Sequence, residues 1–108
     1  MSEGTWVQGD TGPDFVTVLH PDDDPAAALD LTEVVSQKFQ MRKPDDRRFT
    51  VNATANVVGA PTNGRVRYSW GVNDLVSPGE YDVQIELTYN DGQIQTQAVP
   101  NRITVRRK

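Results

Sequence analysis

Between Gly79 and Tyr89 every odd position is apolar or aromatic (Tyr81, Val83, Ile85, Leu87, Tyr89). Every even position from 82 is polar (Asp82, Gln84, Glu86, Thr88). Successive side chains of a strand point to opposite faces, so this stretch is a strand with one buried and one wet face. No helix can place five such residues on one side. Asn90-Asp91-Gly92 follows, and Asp-Gly is read as a two-residue hairpin loop because both residues tolerate positive φ. The returning strand, residues 93–99, is expected to turn Ile94 inward with Thr96 and Ala98. Pro100 stops it.

The same period recurs along the chain. Residues 65–70 alternate Val66, Tyr68 and Trp70 with Arg65, Arg67 and Ser69. Residues 49–57 read as one strand, with Phe49, Val51, Ala53, Ala55 and Val57 on one face. Residues 15–19 and 102–106 are short strands, the latter with Ile103 and Val105 together, and residues 5–8 are an edge piece. Between 31 and 42 the spacing fits either a helix (Leu31, Val35, Phe39) or a strand. The β-branched pair Val34-Val35 favours a strand over 34–42, with one helical turn at 25–29 after Asp24-Pro25. The sum is seven or eight strands with turn signals every 8–12 residues. That pattern predicts a single all-β domain over 1–108, an immunoglobulin-like antiparallel β-sandwich, with residues 1–12 read as an extended N-terminal arm.

Composition narrows the function. The 108 residues include no cysteine, which excludes a disulfide framework and a thiolate zinc site. Net charge is −4, so nucleic acid is not an expected partner. No run approaches the roughly 20 apolar residues of a membrane span, and no membrane partner is expected. Met1-Ser2-Glu3-Gly4 has neither a basic region nor an apolar run, so no signal peptide is expected. The charge is uneven: residues 1–46 hold ten acids and three bases, residues 47–108 five acids and eight bases. Such asymmetry can orient contacts with a partner or between copies.

Chemistry-bearing motifs are scarce. His20 is the single histidine and reads as polar surface. Asp22-Asp23-Asp24 lacks the alternating ligands, central glycine and distal glutamate of a calcium loop, and reads as a solvated turn. Residues 9–14 (GDTGPD) have no lysine and no following helix, so they are a turn and not a phosphate loop. Trp70, Tyr68 and Tyr81 lie on apolar faces and read as core. Trp6 is free to anchor a partner. No catalytic residue, metal site, cofactor or small-molecule substrate is expected, and the chain reads as a non-enzyme.

Four pieces in order, "WVQGDTGPDF", "LDLTEV…FQMRKPD", "NGRVRYSWGVNDLVSPGEYDVQIELTYNDG" and "VPNRITV", form a recognisable series. They resemble the immunoglobulin-like module at the N-terminus of phage baseplate upper proteins and its short single-domain relatives. The family pattern runs GDTxPDL, DLTGATVxFxMR, GxVxYxW, then a PGxYxxEFxVTYxDG hairpin and a closing strand. The likeness spans about residues 6–106, and Gly64–Gly92 is its specific part. This chain departs by one extra residue before Phe39 and by a longer acidic loop holding Ala26-Ala27-Ala28. The resemblance implies a structural protein of a tailed-phage virion, assembled in the host cytoplasm. Its partners would be the major capsid protein or tail and baseplate proteins, with self-association as a further option. Capsid decoration is the leading expectation. A tail, neck or baseplate adaptor and a carbohydrate-binding module are the alternatives. The expected contact residues are Trp6, Asp10, Asp14, Asp22, Asp23 and Asp24 on the acidic side, and Arg65, Arg67, Arg102, Arg106 and Arg107 on the basic side.

Overall fold

The computed structural model describes residues 4–21, 23–24, 26–99 and 102–108. Among these residues the chain forms nine strands: β1 Gly4–Val7, β2 Phe15–Val18, β3 Val34–Arg42, β4 Val51–Thr54, β5 Asn56–Val57, β6 Arg65–Tyr68, β7 Gly79–Tyr89, β8 Ile94–Ala98 and β9 Ile103–Arg106. They make an all-β sandwich. One sheet has six strands in the order β1-β9-β7-β3-β4, with β8 also paired to β7. The other has three, in the order β2-β6-β5. Neighbours are antiparallel except β1 and β9, which run parallel. The expected N-terminal arm is therefore a docked strand from Gly4 onward; residues 1–3 lie outside the described residues.

The alternation in β7 buries what it predicts. Tyr81, Val83, Ile85 and Leu87 are each at most 3% exposed. Facing them is an aromatic cluster. Phe39 of β3 stacks on Tyr68 at 4.5 Å, and Trp70 meets both edge-on at 5.4 Å. Trp6 meets Trp70 at 5.2 Å and Phe15 lies 5.1 Å from Phe39. Tilted and edge-on rings of this kind add about 0.5–1.5 kcal/mol per pair beyond their buried area. The indole nitrogens of Trp6 and Trp70 both donate to the Pro13 carbonyl, at 2.7 and 3.1 Å, so neither buried N–H is orphaned. Tyr81 Oη donates to the Ser77 carbonyl at 2.6 Å, tying the start of β7 to the preceding turn, as corner tyrosines do in immunoglobulin-like domains.

Three expectations are corrected. Residues 49–57 are not one strand. β4 pairs with β3 in the large sheet, and β5 pairs with β6 in the small one. The chain changes sheets at Ala55, which is fully buried. Gln37 holds this corner from both sides: its carbonyl accepts the Ala55 N–H at 2.8 Å and its Nε2 donates to the Ala55 carbonyl at 2.6 Å. A methyl side chain is what lets the backbone pass between the sheets.

The β7–β8 loop has three residues, not two. Tyr89 N donates to Gln93 O at 2.8 Å, so Tyr89 and Gln93 close the hairpin. Gly92 N returns to Tyr89 O at 2.9 Å with Gly92 at φ 88°, the left-handed position of a three-residue loop. That one-residue difference inverts the whole return strand. Ile94 pairs with Thr88 and is 64% exposed, whereas Gln95 and Gln97 stand opposite Leu87 and Ile85 on the core side. Ile94, Thr96 and Ala98 all face outward, against expectation.

The helical turn expected at 25–29 is a non-helical turn in its described part, closed by Ala27 N to Asp24 O at 3.2 Å; Pro25 is outside the described residues. β3 forms where a strand is favoured. Its pairing with β7 shifts between Val34 and Ser36, which pushes Val35 to 65% exposure. The extra residue in this segment is thus absorbed as a bulge. Gly64 is required by close approach: at φ 64°, a Cβ there would sit 2.9 Å from the Leu19 and Leu29 backbones.

Candidate interaction edge

The expected contact residues do not assemble into one patch. Trp6 is 4% exposed and belongs to the core, so it is no anchor for a partner. Its alternation with Thr5 and Val7 carried the signal that could have shown this. Asp10 turns back on β1, where its Oδ2 accepts the Val7 N–H at 2.9 Å. Asp14 and Arg67 neutralise each other at 3.7 Å, and Asp14 also accepts from Ser69 Oγ at 3.1 Å. Arg102 Nε is 2.9 Å from Asp82, with Glu80 at 3.7 Å. Arg65, Arg106 and Arg107 are exposed. Asp23 and Asp24 are exposed, and Asp24 is engaged by the Ala26 N–H; Asp22 lies outside the described residues. Acid and base expected to meet outside partners therefore meet each other in part.

The titratable side chains among the described residues lie in local bonds. His20 Nδ1 donates to the Ala27 carbonyl at 2.6 Å on the surface. Among the described residues no group of three His, Cys, Asp or Glu side chains could hold a metal ion. Desolvation pushes the Tyr68 phenol well above its ordinary value, reinforced by its hydrogen bond to Asp74. That bond (2.5 Å) and the Gly71 N–H (2.7 Å) converge on Asp74 Oδ2 and brace the turn after Trp70. Burial also raises Tyr89, whose Oη donates to Gln95 Oε1 at 2.6 Å. The Thr32 hydroxyl and amide lower exposed Asp30 by bonding its carboxylate. These are structural bonds. Among the described residues, one surface hollow of about 410 Å³ lies beside Lys43, Pro44 and Glu80 and another of about 240 Å³ beside Arg42, Phe49 and Ala98. In the second, the Arg42 guanidinium rests on the Phe49 ring at 5.4 Å.

What remains are the sheet edges. An edge strand offers a row of unpaired N–H and C=O groups, and proteins usually blunt it. β1 is blunted: its last outward amide, on Val7, is taken by Asp10, and Val7 O accepts the Asp10 N–H at 2.9 Å. β4 leaves the sheet at Ala55 after four residues. β5 has two residues. β2 has four, and its neighbour β6 carries Arg65 and Arg67.

β8 is different. Val99 N donates to Val83 O, and Tyr89 N to Gln93 O. Antiparallel bonding alternates, so Gln95 and Gln97 also bond β7, while the N–H and C=O of Ile94, Thr96 and Ala98 point away from it. Among the described residues nothing bonds these outward groups. The strand (Ile-Gln-Thr-Gln-Ala) carries no charge and no proline, and its pairing with β7 has no bulge. Among the described residues none of the usual edge defences is present. Sequence reading missed this site because the inverted register hid Ile94 in the core.

No family model and no curated protein matches the chain. Among solved structures it is similar to CopC from Methylosinus trichosporium OB3b, with a TM-score of 0.54 over 99% of this chain and 86% of that one. The sequences are 10% identical, so the likeness shows the fold alone. It agrees with the β-sandwich. It overturns the expectation of a tailed-phage virion protein, decorating or adaptor, and the separate carbohydrate-binding alternative is not carried further, because the similar structure is CopC and not a phage structural protein.

Proposed function

We propose that this chain is a non-catalytic interaction module that binds an extended polypeptide segment by strand addition along β8. The observation that carries this is the undefended edge: three consecutive outward backbone positions, Ile94, Thr96 and Ala98, on an uncharged strand. Strand addition supplies affinity through main-chain hydrogen bonds and specificity through alternate side chains. Here the outer face offers Ile94, at 64% exposure, as the apolar contact. The rest of the fold is a rigid support. β7 is anchored on its far side by β3 over eight paired positions, so the edge is presented without rearrangement.

Selection from a random dodecapeptide library tests the reading. The wild-type chain is the bait and a Thr96→Pro variant the counter-bait. Proline at 96 removes one outward N–H and no bond to β7, so the fold is retained. The reading expects binders that alternate apolar and polar residues and lose about ten-fold or more in affinity on the variant. Binders that ignore the substitution would contradict it.

A further inference from the structure

The open edge is self-complementary, and we infer that its partner is a second copy of this chain, paired β8 to β8 in antiparallel register about a two-fold axis at Thr96. This rests on β8 being the docking edge and goes further by naming the occupant. The outward positions are Ile94, Thr96 and Ala98, an odd number centred on Thr96. A two-fold axis through that centre sets Ile94 opposite the partner's Ala98, Thr96 opposite the partner's Thr96, and Ala98 opposite the partner's Ile94. All three are hydrogen-bonded pairs, giving about six backbone bonds across the axis. The large exposed Ile94 side chain meets the small Ala98, so neither clashes and Ile94 gains cover.

Charge along the edge does not oppose this arrangement. Across the outer face the row reads Lys38, Glu86, Thr96, since Lys38 pairs with Glu86 and Glu86 with Thr96. Reflected through the axis, the two neutral threonines meet in the middle. The two Glu86 residues are then three strand spacings apart, about 14 Å, beyond a Debye length at physiological salt. Each keeps its own Lys38 beside it. A strand with fixed charges would need a complementary sequence; a neutral one accepts its own copy. The neighbouring β1 sets the register limit. Gly4 pairs with Ile103 and Ile103 with Tyr81, so β1 begins just beyond the end of β8 and blocks a partner strand from sliding further that way. The result is one continuous sheet through two molecules. The contact is one strand wide, narrower than standard interfaces of roughly 1,200–2,000 Å², so the dimer is weak and reversible.

Sedimentation equilibrium from about 10 µM to 1 mM, with the full chain, is the test. Wild type should shift from monomer to dimer across that range. Thr96→Pro, which removes the central outward N–H of both copies and adds no charge beside Glu86, should weaken association about ten-fold or more while the far-ultraviolet spectrum stays unchanged. Register is tested separately. The natural chain has no cysteine, so Thr96→Cys introduces a single thiol. Hydrogen-bonded antiparallel pairs hold Cα atoms about 5.5 Å apart, within disulfide range. Mild oxidation should cross-link Thr96→Cys rapidly and an Asn52→Cys control on the β4 edge slowly. A monomer at 1 mM with no preferential cross-linking overturns the self-pairing. If library peptides still bind β8 in that case, the strand-addition reading stands; if they do not, both fall.

Discussion

Strand β7 has two successive partners on the same side, and they are built in opposite ways. Along Gly79–Tyr81 it pairs with β9, whose inward residues Ile103 and Val105 are at most 2% exposed and whose far edge is covered by β1. Along Gln84–Thr88 it pairs with β8, whose inward residues are Gln95 and Gln97 and whose far edge is bare among the described residues. Both are held by the same kind of ladder. Only β9 adds apolar burial to it. The contrast separates what a strand contributes to stability from what it offers to a partner: β9 closes the core, and β8 is a hydrogen-bonded flap left open.

Substitution on the β9 side should have the largest effect. Ile103→Ala empties a fully buried position and is expected to cost about 2–5 kcal/mol in urea unfolding. A loss below ~1 kcal/mol would mean β9 is no better anchored than β8. On the β8 side the sign should reverse. Gln97 Nε2 is buried with no partner among the described residues, so Gln97→Leu should raise stability by about 1–2 kcal/mol by removing an unsatisfied donor and adding apolar contact. A destabilised variant would show that the amide is satisfied in solution.

A smaller effect is expected at Tyr89. Its hydroxyl bond to Gln95 is the side-chain link between β7 and β8, and Tyr89→Phe should cost about 1 kcal/mol. The smallest effect concerns pH. Burial raises the Tyr89 phenol above its ordinary value of 10.0. The folded chain then keeps its proton when the unfolded chain has released it. Stability from this group is complete below pH ~10 and is lost as pH rises through the folded value. Melting curves between pH 8 and 11 should fall above about 10, and Tyr89→Phe should flatten part of that fall. Tyr68, raised chiefly by burial as well, adds to that fall.

Period-two alternation made most of the sandwich legible. It assigned β7, β6 and β9 and the burial of Tyr68, Trp70 and Tyr81, because each is a half-buried strand with a clean polar face. It failed where the chain departs from a flat ladder. The Asp91-Gly92 pair reads as a two-residue loop, yet the left-handed Gly92 closes a three-residue one, and the resulting slip moved Ile94 to the wrong face. Ala53 and Ala55 fit one strand by pattern, while the small Ala55 marks the passage between sheets. Trp6 read as free because β1 pairs parallel to the distant β9, and parallel pairing leaves no local turn signal. The interaction edge was illegible for a related reason. Being an edge is a property of strand order, and strand order is not written in the alternation of any single strand.

The central claim is that β8 is open on one side in the isolated chain, and residue-resolved amide hydrogen exchange tests it most directly. At about 10 µM, where the chain is monomeric, the account predicts fast exchange at Ile94, Thr96 and Ala98 beside slower exchange at Gln95 and Gln97. It predicts protection throughout Ile103–Val105, which bond β7 and β1 in alternation. Equal protection of all five β8 amides in the dilute monomer would contradict it, because the edge would then be closed by the chain itself.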